Sequence, residues 1–123
     1  MRLQESGEMY LETILVLSKK LENVRAIDVS EELGYSKPSV SRGMKILREN
    51  SYITINKNGY ISLTKSGQEV AEKIYERHQV LSEILIRIGV DDDIATEDAC
   101  RIEHVISDVS FEAIKKHIKE MGD

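Results

Sequence analysis

The stretch GYSKPSVSRGMKILRENSYITINKNGYISLT, residues 34–64, decides the fold. Gly34 suits the left-handed residue that closes a helix, here one of about residues 26–33. Ser36 then offers an N-cap, and Lys37 and Pro38 fall in a first turn where a missing N–H costs nothing. Val40, Met44 and Leu47 form an apolar stripe at helical spacing, which predicts a second helix over about 37–50. A short helix, a tight turn around Gly34 and a helix with a basic outer face make a helix-turn-helix. After it, two runs rich in Ile, Tyr and Thr alternate about Asn58-Gly59, a pair favoured in type I′ turns, so residues 52–64 read as a β-hairpin. Helix-turn-helix followed by hairpin is a winged helix.

Working outward, residues 6–21 carry apolar side chains at 10, 11, 14, 15, 17 and 21, close to the 3.6-residue period of an amphipathic helix. Downstream of the hairpin, Ser66-x-x-Glu69 predicts the start of a long helix that runs to about Ile88 and is broken by GVDDD. Thr96 is the expected cap of a helix over 97–106, and Ser107 of one over 108–121. Leu81, Ile84, Leu85, Ile88, Val105, Ile106, Ile114 and Ile118 give this half enough apolar face to bury against a partner. The expected fold is mainly α with one small hairpin: a winged helix-turn-helix at 1–66 and an all-helical dimerisation domain at 67–123.

The 123 residues carry a net charge of −5, which argues against a polyanionic partner until it is divided by position. Residues 1–66 hold 10 Lys+Arg against 8 Asp+Glu; residues 67–123 hold 7 against 14. Within 37–48 stand Lys37, Arg42, Lys45 and Arg48 and no acid, a local basic face on an acidic protein. No apolar run approaches the ~18 residues of a membrane span. The amino terminus MRLQESGEMY lacks a secretory h-region, and a single cysteine cannot form an internal disulfide. A cytoplasmic location, with no membrane partner, is therefore expected.

If the winged helix reads DNA, the first turn of its second helix enters the major groove. Ser36, Lys37, Pro38, Ser39 and Ser41 would lie against the backbone, and Arg42 would pair bidentately with guanine O6 and N7. Arg25, Lys45, Arg48 and Lys57 at the wing tip would meet phosphates, adding affinity and salt dependence without sequence choice. A winged helix also serves as a protein-interaction module; the acid-free basic face with short hydroxyls favours double-stranded DNA.

A second constellation is ACRIEHV, residues 99–105. On a helix, Cys100, Glu103 and His104 at i, i+3 and i+4 share a face and supply a thiolate, a carboxylate and an imidazole. Met9 and Glu12 share a face of the first helix, and His78 lies on the long one. Taken singly, each has a bland reading: Met9 as core, His78 as a charged-surface residue, Cys100 as a buried thiol beside a surface Glu-His pair.

The order EMYLETI (8–14), SKPSVSR (36–42), ERH (76–78), IGVDDD (88–93) and EDACRIEHVISD (97–108) resembles the DtxR/MntR family of metal-activated transcriptional repressors over nearly the whole chain. The resemblance implies a homodimer that binds a pseudo-palindromic operator. It also implies an activating site of Met9, Cys100, Glu103 and His104, with Glu12 and His78 at positions that hold metal in the manganese branch. That branch has aspartate where Met9 stands and glutamate where Cys100 stands; the Met and Cys pair is the one associated with iron. Ser82 and Thr96 replace a carboxylate and a histidine of the iron branch's ancillary site. With the chain ending at Asp123, the short form without an SH3-like third domain is expected.

The expected effector is a divalent transition metal, Fe(II) before Mn(II), with Zn(II), Co(II) or Ni(II) able to substitute in vitro. The chain is read as controlling metal-homeostasis genes, not as an enzyme, and as taking no small organic substrate. Two alternatives stand beside this: a metal-independent winged-helix regulator, and a redox sensor built on Cys100 near His104.

Overall fold

The computed structural model describes residues 5–122. Among them lie six helices and one antiparallel hairpin: α1 (Glu5–Ser18), α2 (Ala26–Leu33), α3 (Lys37–Glu49), β1 (Ile53–Ile55), β2 (Ile61–Leu63), α4 (Lys65–Arg87), α5 (Asp92–Ile102) and α6 (Asp108–Met121). The chain divides between Glu72 and Lys73 into two compact units.

In the first unit, α1 buries Tyr10, Leu11, Ile14, Leu15 and Leu17, five of the six apolar positions of its predicted stripe. It stops at Ser18, three residues before the predicted end, because the chain tightens there. The Lys19 and Lys20 amides donate three residues back to Val16 and Leu17, and the Ser18 hydroxyl donates to the Ile14 carbonyl. Leu21, outside the helix, is exposed.

α2 ends in Gly34 at φ 70°, and Ser36 caps α3 by accepting from the Ser39 amide. Val40, Met44 and Leu47 are all but inaccessible, each worth roughly 1.5–3 kcal/mol of burial. Gly43 stands where α3 passes the buried Tyr10: a Cβ at Gly43 would lie 2.3 Å from Tyr10 Cε2. Alanine gains up to ~1 kcal/mol of helix propensity over glycine. Overpacking a filled site costs about 1–3 kcal/mol, so Gly43→Ala is expected to lower the urea midpoint, whereas the same change at an open helical position would raise it.

The hairpin pairs Ile53 with Leu63 and Ile55 with Ile61, and Val24 bridges to Ile61 as a single added rung. Asn58-Gly59 does not form the predicted type I′ turn. That turn needs positive φ at both central residues, and here only Gly59 has it, at 82°. The Asn56 carboxamide accepts from the Asn58 and Tyr60 amides while Gly59 N–H donates to the Asn56 carbonyl. The loop is three residues long, a tight turn over 57 and 58 followed by a left-handed glycine. Thr64, and not Ser66, caps α4: its hydroxyl accepts from the Gly67 amide at 3.2 Å and donates to the Ser51 carbonyl at 2.6 Å.

The second unit holds the remainder of α4 with α5 and α6. Asp91, and not Thr96, caps α5, accepting from the Asp93 amide. The acidic run 91–93 sits best at the positive end of a helix, so α5 begins before Thr96, which lies exposed within it. α5 also ends at Ile102, four residues early. Ser107 caps α6 as predicted. Ala95, Ala99, Phe111, Leu81 and Ile118 are buried, whereas Ile88 (68%), Val105 (73%) and Val109 (83%) stand open to solvent. No helix among the described residues is long and apolar enough to cross a membrane.

Candidate metal centre and nucleic-acid interface

Within the first unit, Lys37, Pro38, Ser41, Arg42, Lys45 and Arg48 of α3, expected to face DNA, are exposed, as are Ile46 and Glu49 of the same helix. Ser36 and Ser39 are spent differently. The Ser36 hydroxyl is the helix cap and donates to Ser39 Oγ at 2.9 Å, and Ser39 Oγ in turn accepts from the Arg42 guanidinium at 3.4 Å. The chain of three fixes the first turn and draws Arg42 back along it. Lys57 is exposed in the wing loop.

Arg25 is placed on the wing's own side chain. Its guanidinium lies 4.8 Å from the centroid of the Tyr60 ring and donates to the Tyr60 hydroxyl at 3.3 Å. Charge counting treats Arg25 as a phosphate contact; the structure gives it a second task, holding the hairpin against the start of α2.

Met9 is half-buried on α1, and its Sδ accepts a hydrogen bond from the Tyr35 hydroxyl at 3.2 Å. Tyr35 belongs to the turn between α2 and α3, and its ring meets that of Tyr10 edge to face. Burial, with Tyr35 adding to it, raises the Tyr10 phenol above its ordinary pKa, while nearby Arg42 lowers it. Glu12 lies half-buried one turn beyond Met9.

The second unit brings three predicted donors together. Glu103 is wholly buried, and its two carboxylate oxygens face two imidazoles: Oε2 lies 2.9 Å from His78 Nδ1 and Oε1 lies 3.3 Å from His104 Nε2. The His104 side chain is also without solvent exposure; that of His78 is 25% exposed. A buried carboxylate is costly unless paired, and this one is flanked on both sides. Cys100 is half-buried on α5. Although α5 ends at Ile102, Glu103 keeps helical backbone angles and its amide donates to the Ala99 carbonyl, so the one-turn spacing from Cys100 survives.

Metal ligands at about 2.0–2.2 Å subtend donor separations of roughly 3–3.5 Å. Each imidazole lies at about that separation from its own carboxylate oxygen, at 2.9 and 3.3 Å, and imidazole nitrogens and a carboxylate are donors that suit a divalent transition ion. The residues present therefore fit one.

Sequence reasoning passed over Arg77, the middle residue of ERH. It is 6% exposed, and its guanidinium donates to the carbonyls of Glu103 at 3.1 Å and Ile106 at 2.8 Å and to the Asp108 carboxylate. Nothing in a locally charged helix marks one arginine as buried. Lys73 also reaches Asp108, at 3.0 Å. The Lys73 hydrogen bond and charge, then Arg77, hold the Asp108 carboxyl below the usual carboxylate range. A depressed carboxylate contributes stability that is present above its unfolded pKa and lost as pH falls through the folded one. Asp108→Asn should therefore flatten the acid limb of a stability–pH curve and leave the slope near neutrality unchanged, as read by urea unfolding from pH 7 downward.

Residues 2–61 match the family model described as iron dependent repressor, N-terminal DNA binding domain, and residues 64–122 that described as iron dependent repressor, metal binding and dimerisation domain. The transcriptional regulator MntR of Escherichia coli O157:H7 is 30% identical over 113 residues, covering 92% of this chain and 73% of the relative. An uncharacterized HTH-type transcriptional regulator of Methanocaldococcus jannaschii is 34% identical over 125 residues, covering 98% of each chain. Among solved structures, the manganese regulator SloR aligns with a TM-score of 0.82 at 29% identity, covering 97% of this chain and 55% of its own. IdeR of T. acidophilum aligns with a TM-score of 0.76 at 28% identity, covering all of this chain and 56% of its own. This chain thus spans a little over half the length of those two structures.

Proposed function

The chain belongs to the DtxR/MntR family of metal-dependent transcriptional repressors, and from that premise we propose that it is a homodimeric repressor switched on by Fe(II). The family comprises transcriptional regulators and not enzymes. The observation that carries the reading is the buried Glu103 carboxylate set between the imidazoles of His78 and His104. Cys100 joins them from one turn back as a thiolate, and Met9 and Glu12 enter the set through the resemblance of their motif.

A bound divalent ion supplies positive charge and fixed coordination to this group of donors. Everything else is the chain's. The donors favour the DNA-competent arrangement only as far as they bind the ion more tightly in that arrangement, and operator DNA must strengthen ion binding by the same factor. A two-fold dimer offers two α3 helices to a pseudo-palindrome with half-sites about 34–36 Å apart or a multiple of that turn. The exposed Ile88, Val105 and Val109 of the second unit are the apolar surface such a dimer would cover.

Thiolate and thioether donors at Cys100 and Met9 favour Fe(II) over Mn(II), which prefers carboxylates. A second reading, Mn(II) as the effector, draws on the names of the relatives MntR and SloR. Fluorescence anisotropy with operator-like DNA decides between them, titrating Fe(II) anaerobically beside Mn(II) and Zn(II), with a chelated control. Fe(II) should support binding at lower concentration than Mn(II), with Zn(II) binding at least as tightly as either. Equal binding in chelator would leave a metal-independent regulator. Release by peroxide from metal-depleted protein would favour the Cys100 redox sensor.

A further inference from the structure

Two neighbouring side chains of α4 grip one residue of the turn after α5. His78 meets the Glu103 carboxylate and Arg77 takes the Glu103 carbonyl. The same guanidinium also donates to the Ile106 carbonyl and the Asp108 carboxylate, and the cation lies 5.4 Å from the centroid of the Phe111 ring. We propose that Arg77 is a positioning residue of the metal centre: it pins the backbone of the Glu103–His104 turn to the helix carrying His78 and so sets the spacing of the donors. The proposal rests on the reading of those three residues as ligands.

The physical case starts from the end of α5. The last carbonyls of a helix have no partner within it, and a cation near them is favoured by the helix dipole. Arg77 satisfies two carbonyls of this segment at once, from a position almost closed to water where such bonds are strong. Its planar fork delivers three bonds in fixed directions, which the single ammonium of lysine does not reproduce. Glu103 is thereby held at both ends, main chain by residue 77 and side chain by residue 78. Loss of the main-chain grip lets the turn relax away from α4, and the contact that relaxes with it is the 2.9 Å separation of His78 Nδ1 from Glu103 Oε2. A merely structural arginine would lower stability and leave the donors of the folded molecules where they were.

The test uses the full chain and Co(II), whose ligand-field spectrum reports coordination directly. In the wild-type protein Co(II) should bind and Glu103→Gln should remove that binding; if wild type takes up no Co(II), or Glu103→Gln changes nothing, the ligand reading itself falls and this proposal with it. Given that baseline, Arg77→Lys is expected to weaken Co(II) on the order of ten-fold and to shift the spectrum, since partners that orient ligands typically govern affinity by 10–100-fold. Asp108→Asn, which leaves both carbonyl bonds, should keep the wild-type spectrum while losing stability near neutrality and showing a flatter acid limb. If Arg77→Lys does not fold, Phe111→Leu takes away the ring beneath the guanidinium and spares its acceptors. A smaller weakening, roughly two- to five-fold, is then expected. A folded Arg77→Lys with wild-type spectrum and Kd, or failing that an unaltered Phe111→Leu, overturns the proposal.

Discussion

Glu103→Gln is expected to abolish metal-dependent operator binding while leaving a folded protein at least as stable as the metal-depleted wild type. The reasoning runs from burial. The Glu103 side chain has no solvent exposure, and the imidazoles of His78 and His104 lie against its two carboxylate oxygens. Burying a charge costs several kcal/mol before its partners repay any of it. Glutamine has the same shape, keeps an acceptor oxygen for one imidazole and gains a donor for the other, so the local hydrogen bonding can be rebuilt without the charge. The ion, however, loses the buried carboxylate at the centre of its donor set, expected to cost at least ~100-fold in affinity, or about 2.7 kcal/mol. Linkage turns this into a stability measurement. At an ion concentration 100 times the wild-type Kd, binding stabilises the native state by about 2.7 kcal/mol; a site 100-fold weaker gains only about 0.4 kcal/mol. Thermal unfolding with and without Co(II) or Mn(II) should therefore show a large metal-induced rise in Tm for wild type and almost none for the variant. An undiminished rise in the variant would remove Glu103 from the metal centre.

What the sequence disclosed and what it hid follow from the range of the forces involved. The helix-turn-helix was legible because its determinants are local: a left-handed glycine at 34, the Ser36 cap and the spacing of Val40, Met44 and Leu47 act over a few residues. Turn chemistry was legible in kind but not in type, since the Asn56 carboxamide outcompeted the Asn58-Gly59 preference by taking two amides of the loop. Asp91 and Thr96 stand five residues apart and both are residue types that cap helices; Asp91 outranks Thr96 once the acidic first turn is counted with it. In the site, Glu103 and His104 were visible as chain neighbours and Cys100 as their helical partner. The approach of His78 spans 25 residues and obeys no period, so only the family resemblance brought it in. Arg25 and Arg77 share one blind spot. A sequence treats arginine as solvated charge, whereas Tyr60 and the end of α5 supply an aromatic face and vacant carbonyls that only folding brings near.

Arg42→Ala is expected to cost about 1–3 kcal/mol of operator binding, roughly 5–150-fold, with metal uptake unchanged. Arg42 is exposed on α3 and its guanidinium is drawn to Ser39, whose hydroxyl is itself held by the capping residue Ser36. Such a tether lowers the entropy that a long side chain loses when it takes a bidentate position on a guanine edge. Ser39→Ala should accordingly reproduce a fraction of the loss without touching any base. Arg42→Lys should rescue poorly, because a point charge keeps the phosphate attraction and loses the fork. Lys45→Ala and Arg48→Ala provide the contrast: both side chains are exposed on the same helix, and as phosphate contacts they should weaken specific and random DNA alike, each lowering the salt slope by about one. The decisive quantity is the ratio of operator to random-sequence affinity, measured by anisotropy at two salt concentrations with saturating metal. If Arg42→Ala lowered both affinities equally and left that ratio intact, Arg42 would be a phosphate contact, and base reading would have to fall to other exposed residues of α3 such as Lys37 and Ser41.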